Sequence, residues 1–459
     1  AALFVAPETM DVNLNRRAIH AACRVDDDVF PDVALGWLTG SDPAHVRAML
    51  DRMAGVEADG IAPRGTGFGI VSGGFPKATV LPAAPPEDGL AWTHAYFPLV
   101  ETDPKVRAAV PKTLEAVAGA GVVEFGGNGD AMRVWLFSDH RNVERAKWWP
   151  YDPARVLRDL DHPEMPGIGA KDLASWDLAG KVVWFSTCHS GAPTRTAVWG
   201  DVVSTFGDTG RIVRFHELGE GESLCAAILA RAPAAFLAPV GPNHGWLALV
   251  ERRRAVRERL SLGETIRRGQ AEVALSDLAF GGIPLVEQTE GSPESMPAFE
   301  GAVMRENVLN RVLYGDPSFQ PFASLEPNPP LWSIGRTEGA GASAAFELRL
   351  RIERVDALEY WDSFRAAERG EHVVATFELA EGAAIESVSA VGEPAVTFGE
   401  WAIERRRARP PLLWLGLNAA LLPDRSEHRL WIAGKTIRLR VTPAAAGKGV
   451  VGGEVRLGK

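Results

Sequence analysis

Cysteine is scarce in this chain. Three cysteines, Cys23, Cys188 and Cys225, stand among 459 residues, too few and too scattered for a disulfide framework or a zinc knuckle, though one pair has room to form. The ten histidines show no HExxH or comparable spacing, so no metal centre is expected. Positive charge is short too: 49 Lys and Arg face 59 Asp and Glu, for a net charge of −10. Neutralising phosphates needs a basic face, so nucleic acid is not an expected partner. No apolar run reaches the ~20 residues of a membrane span. Walker and dinucleotide fingerprints are also missing. Gly126-Gly127-Asn128-Gly129 is glycine-rich but lacks a third glycine at the right offset and a helix start, and no cofactor is expected. The chain opens Ala-Ala-Leu-Phe-Val-Ala-Pro without methionine or a basic n-region, so any signal or pro-segment is expected outside this numbering.

What is present is ordinary globular composition, 46% hydrophobic and 24% charged, with room for two or three domains. The most informative stretch is Lys181-Val-Val-Trp-Phe-Ser-Thr-Cys-His-Ser-Gly191. A short apolar run stops at Cys188 and turns through Ser190 and Gly191, which fits a strand buried on both faces better than a helix. Strands of open parallel sheets carry ligands at their carboxyl ends, where Cys188 falls. A small buried hydrophobe is the other common fate of an unpaired cysteine, and this stretch alone fits both. A second strand of the same kind, Gly121–Phe125, ends in Gly126-Gly127-Asn128-Gly129-Asp130. If the two strands are neighbours, their ends face each other.

Around these strands the chain reads as follows. Leu3–Ala6 is a first buried strand, with a polar loop through Met10–Asn13. Ser41-Asp42-Pro43 opens an amphipathic helix with Val46, Met49, Leu50 and Met53 on one face. Gly67–Val71 is a strand, and Lys105–Ala118 a helix that Pro111 kinks or restarts. Strand, helix, strand with sheet-end loops predicts a doubly wound, mostly parallel α/β domain. The interval from Asn128 to Cys188 exceeds one crossover, so an insertion is expected there. Val134–Phe137 offers a short strand, Trp148-Trp149 aromatic packing, and Pro153–Leu160 a helix. Further on, Glu222–Leu229 is a small-residue helix, Ala234–Val240 a strand, and Leu247–Ala274 one or two exposed amphipathic helices. Beyond the proline-rich 326–330 linker, Ala345–Ile352, His372–Leu379 and Leu430–Val441 predict strands of a C-terminal β-sandwich.

Taken in order, several segments resemble the gingipain family of cysteine peptidases, of the caspase-like clan. There a Gly-His-Gly turn after one strand supplies a histidine, and Cys-x-Asn/Ser-Gly after the next supplies the nucleophile. Cys188-His189-Ser190-Gly191 resembles the second motif; Gly127-Asn128-Gly129 resembles the first, with asparagine where the histidine belongs. Trp135 is similar to a tryptophan that follows that turn. Asp26–Phe30 followed by Leu35-Gly36-Trp37 is loosely similar to a Ser-Asp-x-x-Tyr segment before a strand ending in Gly-Arg, with departures at Asp26, Phe30 and Trp37. In that alignment Asp27 takes the place of the aspartate that binds the substrate's basic side chain in arginine-specific members. An Asp run is equally the mark of a solvated turn. Trp246 is similar to a tryptophan that walls the specificity pocket, and packing alone would also account for it. Leu313-Tyr-Gly-Asp-Pro-Ser-Phe319 resembles the Leu-x-Gly-Asp-Pro-x-Leu ending of gingipain-like catalytic domains.

The resemblance covers roughly residues 1–325 and implies an α/β fold: a caspase-like, mostly parallel sheet (1–325), then an immunoglobulin-like β-sandwich (331–459). It also implies a secreted or periplasmic cysteine endopeptidase acting after Arg or Lys, with protein or peptide as partner. Cys188 would be the nucleophile, Gly129 and Cys188 would supply the oxyanion amides, and Asn128 would fill the histidine's position. A cysteine peptidase needs a thiolate, a group to protonate the leaving amine, and oxyanion donors. An amide side chain neither titrates nor donates a proton usefully near neutral pH. His189, His140 and His244 are the available substitutes, and His189 would point away if its strand continued. Three readings follow: an endopeptidase held inactive by Asn128, a natural pseudopeptidase that binds proteins, or a scaffold in which Cys188 is only core.

Overall fold

The computed structural model describes residues 1–40, 42–70, 79–82, 90–97, 117–126, 129–135, 167–203, 209–219, 221–241, 243, 247–276, 282–283, 285–292, 308–325, 332–337, 345–352, 371–381, 383–391, 396–407, 409–419 and 436–444. The chain folds as two compact units. One comprises residues 1–19, 34–267 and 285–328; the other comprises 20–33, 268–284 and 329–459.

In chain order the elements before the thiol are β1 (Ala2–Phe4), α1 (Val12–Ala22), β2 (Gly36–Leu38), α2 (Pro43–Asp59), β3 (Arg64–Ile70), β4 (Thr79–Pro82), β5 (Ala91–Phe97), β6 (Val122–Gly126), β7 (Arg133–Trp135), β8 (Gly167–Gly169), α3 (Ala170–Leu173) and β9 (Val182–Phe185). After it come β10 (Arg195–Val203), β11 (Thr209–Glu217), α4 (Leu224–Leu229), β12 (Ala235–Pro239), α5 (Leu247–Glu258), α6 (Leu262–Ser276) and β13 (Arg311–Tyr314).

Nine of these strands form one sheet in the order β1-β2-β13-β12-β9-β6-β3-β5-β4. Its pairs are parallel except β12/β13 and β4/β5. Every residue of β6, β9 and β12 is buried, which is why these strands read as unbroken apolar runs rather than alternating ones. On one face an aromatic row crosses four adjacent strands: Phe125 and Phe185 have centroids 4.3 Å apart, Phe185 and Phe236 5.4 Å, Phe236 and Tyr314 5.9 Å. Aromatic pairs at these spacings add to the burial energy of the rings.

Local signals explain most helix starts. Asp42 caps α2 by accepting from the amides of Ala44 and His45, Pro43 fills its first position, and Met49 and Met53 are buried. Ser223 caps α4 through the Ala226 amide. Where a polar loop through Met10–Asn13 was expected, Asp11 instead accepts from the Leu14 amide and α1 begins at Val12. Between β9 and α4, β10 and β11 form a nine-pair antiparallel hairpin. The 247–274 region is two helices rather than one. The expected helix at 105–118 lies outside the described residues except at its end, and those at 153–160, the Trp148-Trp149 pair and the 326–330 linker lie outside them altogether.

The second unit is mainly antiparallel. It holds β14 (Trp332–Thr337), β15 (Phe346–Ile352), β16 (Glu371–Glu378), β17 (Ile385–Ala390), β18 (Val396–Glu404), β19 (Leu412–Ala419) and β20 (Thr436–Pro443). They make a sheet of order β14-β15-β20-β17 and another of order β16-β19-β18. Leu348, Leu350 and Leu439 from the first and Ala375, Leu413 and Leu415 from the second enter one buried cluster. Residues 20–33 belong to this unit: Phe30 stacks on Trp414 at 5.5 Å, and the Asp28 carboxylate accepts from the Arg405 amide at 2.7 Å.

Candidate active site

The parallel pairing of β6 with β9 matches Phe125 with Phe185, and the Ser186 amide donates to the Phe125 carbonyl at 2.7 Å. Both strands therefore stop at the same level, and the segments that follow them meet. Gly129 packs directly on Thr187: a β-carbon at Gly129 would fall well inside contact distance of Thr187 Cγ2 and of the Arg133 carbonyl. Only glycine permits this approach. Asn128 and Trp246 lie outside the described residues, as do His140 and His244.

Cys188 is half-buried, whereas Cys23 and Cys225 are buried. Burial pushes the Cys23 thiol up to about 12 and the Cys225 thiol far up, which leaves both inert as nucleophiles in the folded state. The turn around Cys188 is held from several sides. The Ser190 hydroxyl donates to the Thr187 carbonyl at 2.7 Å, the His189 amide to the Gly241 carbonyl at 2.8 Å, and the Gly191 amide to the Pro239 carbonyl at 2.8 Å. Tyr314 Oη donates to the Gly191 carbonyl at 2.5 Å. A β-carbon on Gly191 would press on Ala238, Val312 and the Pro239 carbonyl at 3.0–3.1 Å, so this glycine lets the loop lie close against β12.

His189 adopts a left-handed backbone, φ 58°, which turns its ring into the protein instead of along the strand direction. The ring is buried, and Nδ1 lies 3.0 Å from Thr196 Oγ1. Burial, with Arg16 adding to it, depresses the imidazole to about 3, so it stays neutral near neutral pH. His189 is thus a buried, neutral group at the base of the hairpin.

Three groups that sequence reasoning passed over shape the site. Asn243, in the turn after β12, donates from Nδ2 to the Ser186 carbonyl at 2.9 Å; its amide lies 3.3 Å and its carbonyl 3.2 Å from Cys188 Sγ. Asp130 closes the turn after β6, accepting from the amides of Met132 at 2.7 Å and Arg133 at 3.0 Å, and burial raises its carboxyl to about 6. Arg311 of β13 donates from Nη1 to the Phe185 carbonyl, at the last residue of β9, and from Nε to Glu251 at 2.7 Å. Trp184 Nε1 adds a bond to Glu251 at 3.2 Å. A Gly-Asp pair after a strand is a readable turn signal for Asp130; nothing local marks Asn243 or Arg311.

Asp27 is exposed, in the run of bends following α1, and belongs to the second unit. The adjacent carboxylates are engaged in that turn: Asp26 accepts from the Asp28 amide, and Asp28 from the Phe30 amide. Among the described residues no group of three or more His, Cys, Asp or Glu is arranged to hold a metal ion, and no helix is long and apolar enough to cross a membrane.

No family model and no curated protein matches the chain. Among solved structures, one described as "Structure of Protease" aligns with a TM-score of 0.33 and 9% identity over 88% of this chain and 72% of that one, a likeness too weak to carry a fold or an activity across.

Proposed function

We propose that this chain is a cysteine endopeptidase of the gingipain-like class, built on a caspase-like doubly wound sheet (1–325) followed by an immunoglobulin-like sandwich (331–459), and held inactive by Asn128. One observation carries the reading: Gly129, in the turn after β6, packs on Thr187, the residue before the half-buried thiol of Cys188. That contact supports the reading, in which the Gly129 amide acts as an oxyanion donor for the Cys188 nucleophile. In the reaction the Cys188 thiolate attacks the scissile carbonyl carbon, the carbon–nitrogen bond breaks, and a thioester remains for water to hydrolyse. The amine must leave with a proton. An imidazole at position 128 would provide it and would favour the thiolate; an asparagine does neither. Preference for Arg or Lys at the cleavage site rests on the resemblance at Asp27, whose carboxylate suits a guanidinium, and at Trp246.

Asn128→His tests the reading. The substituted protein is expected to cleave arginyl or lysyl peptides, with a gain of about 10²–10⁴-fold over the parent. A folded Asn128→His protein that labels at Cys188 yet cleaves nothing in a broad peptide library would remove the peptidase reading. Asp27→Asn should weaken binding of arginine-based peptide aldehydes, and equal affinity for a neutral analogue would return Asp27 to a solvated turn.

A second reading, a natural pseudopeptidase that binds proteins without cleaving them, is favoured by the surroundings of the sulfur. The Asn243 amide and carbonyl both lie within bonding distance of Sγ, a pairing that a neutral thiol satisfies and a thiolate does not.

A further inference from the structure

Backbone bonds tie the segment after β9 to the end of β12 and the residues that follow it: the His189 amide donates to the Gly241 carbonyl and the Gly191 amide to the Pro239 carbonyl. A side-chain bond, Asn243 Nδ2 to the Ser186 carbonyl, joins them. Asn243 is buried, and its Nδ2 bond at 2.9 Å spans the thiol loop, so its own backbone is fixed against Cys188. The sulfur then meets an amide N–H at 3.3 Å and a carbonyl oxygen at 3.2 Å, both of residue 243. A protonated thiol uses the two together, donating S–H to the oxygen and accepting from the N–H. A thiolate keeps the N–H bond but faces the negative end of the carbonyl dipole at the same distance, and the acceptor loses its donor.

We propose that Asn243 is a positioning residue that clips the Cys188 thiol in its protonated form, so that displacement of Asn243 is what readies the sulfur for attack. The proposal rests on the reading of Cys188 as the nucleophile. It assigns the side chain of Asn243 an action through its own backbone: without the tether to Ser186, the carbonyl is free to swing away and the thiol ionises more readily. A substrate or partner that takes over the Nδ2 donor would have the same effect, coupling occupancy of the cleft to activation of the thiol.

The test is the pH profile of iodoacetamide alkylation at Cys188, read by peptide mapping on the full chain between about pH 6 and pH 10, a span that brackets an ordinary thiol. In the parent the midpoint is expected above the usual thiol value. Asn243→Ala should move it down and speed alkylation near neutral pH by about three- to tenfold, the worth of one ordinary hydrogen bond. If Cys188 alkylates ahead of Cys23 and Cys225 in the parent but Asn243→Ala leaves its profile in place, the clip is overturned and the nucleophile stands. If Cys188 does not alkylate ahead of the other two, the nucleophile reading falls and the clip with it. Should Asn243→Ala fail to fold, the Raman S–H band of the parent, assigned by difference against Cys188→Ser, decides. A band lowered by hydrogen bonding that persists above about pH 8.5 supports the clip, and one at the free-thiol position overturns it.

Discussion

Two sets of buried or partly buried carboxylates, one in each unit, are handled in opposite ways. In the first, Glu251 is wrapped by donors: Arg311 Nε at 2.7 Å and Trp184 Nε1 at 3.2 Å. Close by, Glu124 accepts from Arg252 Nε at 2.8 Å while that guanidinium lies 3.8 Å over the Trp92 ring. Burial raises the Glu251 carboxyl, and Arg311 opposes the rise. In the second unit, Asp28 and Asp32 are partly buried with acidic neighbours. Burial pushes Asp28 up to about 7, Asp26 and Asp32 adding to it against the Arg405 and Phe30 amides; Asp32 rises to about 6, with Asp26 and Glu404 contributing. A paired buried charge depends on its partner, whereas a group of like charges depends on protons. The first arrangement should fail by mutation and the second by pH.

The largest expected effect comes from breaking the pair. Arg311→Met leaves Glu251 buried without its cation and should cost about 3–5 kcal/mol in chemical denaturation. It also releases the Phe185 carbonyl at the end of β9. The comparison sharpens if Glu251→Leu is added, because replacing both charges with apolar groups is often neutral. The double variant should recover most of the loss, and no recovery would mean that Arg311 acts chiefly through the Phe185 carbonyl.

A smaller effect is expected from pH. Asp28 and Asp32 have folded-state values above those of an unfolded chain, so the folded state binds more protons. Stability from these groups is fully present below about pH 4 and is lost as pH rises through 6 and 7. Thermal unfolding of the second unit should therefore fall from about pH 5 to about pH 8. Asp32→Asn, which keeps a donor for the Asp26 carboxylate, should flatten that slope and raise the midpoint at the alkaline end by about 2–4 °C. A slope unchanged by Asp32→Asn would mean that Asp28 alone sets it. The smallest effect is expected at the surface, where Arg438 and Arg349 hold the Glu347 carboxyl down to about 2. Glu347→Gln should leave the unfolding midpoint near neutral pH within error, because exposed pairs are screened and contribute little.

The strands that matter most for the site were legible because they are buried on both faces. The 181–187 and 121–125 runs and the 234–240 run became β9, β6 and β12, and the Asp42-Pro43 start of α2 read directly from its cap. That β6 and β9 are neighbours entered the sequence reading only as a condition; the parallel pairing of Phe125 with Phe185 establishes it. The hairpin of β10 and β11 was not legible, nor was α1, whose start depends on a single Asp11 bond. The left-handed turn at His189 was hidden too, because a non-glycine residue with positive φ is held by its surroundings, here the Thr196 bond and the burial of the ring. Asn243 and Arg311 act across loops far apart in sequence, and no local periodicity reports a contact of that kind. The segment 20–33 illustrates the same point: its acidic turn is plain in the sequence, but its stacking on Trp414 is a long-range fact.

The order of the large sheet has a consequence for the making of the protein. β2 pairs with β1 on one side and with β13 on the other, Trp37 opposite Tyr314. A nascent chain leaves the ribosome amino end first, so the strand that completes this side of the sheet arrives only after nearly three hundred further residues have been added. At usual elongation rates that delay is on the order of tens of seconds. Throughout it β2 offers an unpaired edge, with Trp37 and Leu38, both buried in the finished protein, exposed to other chains. Until β13 emerges, that edge is open to pairing with another chain.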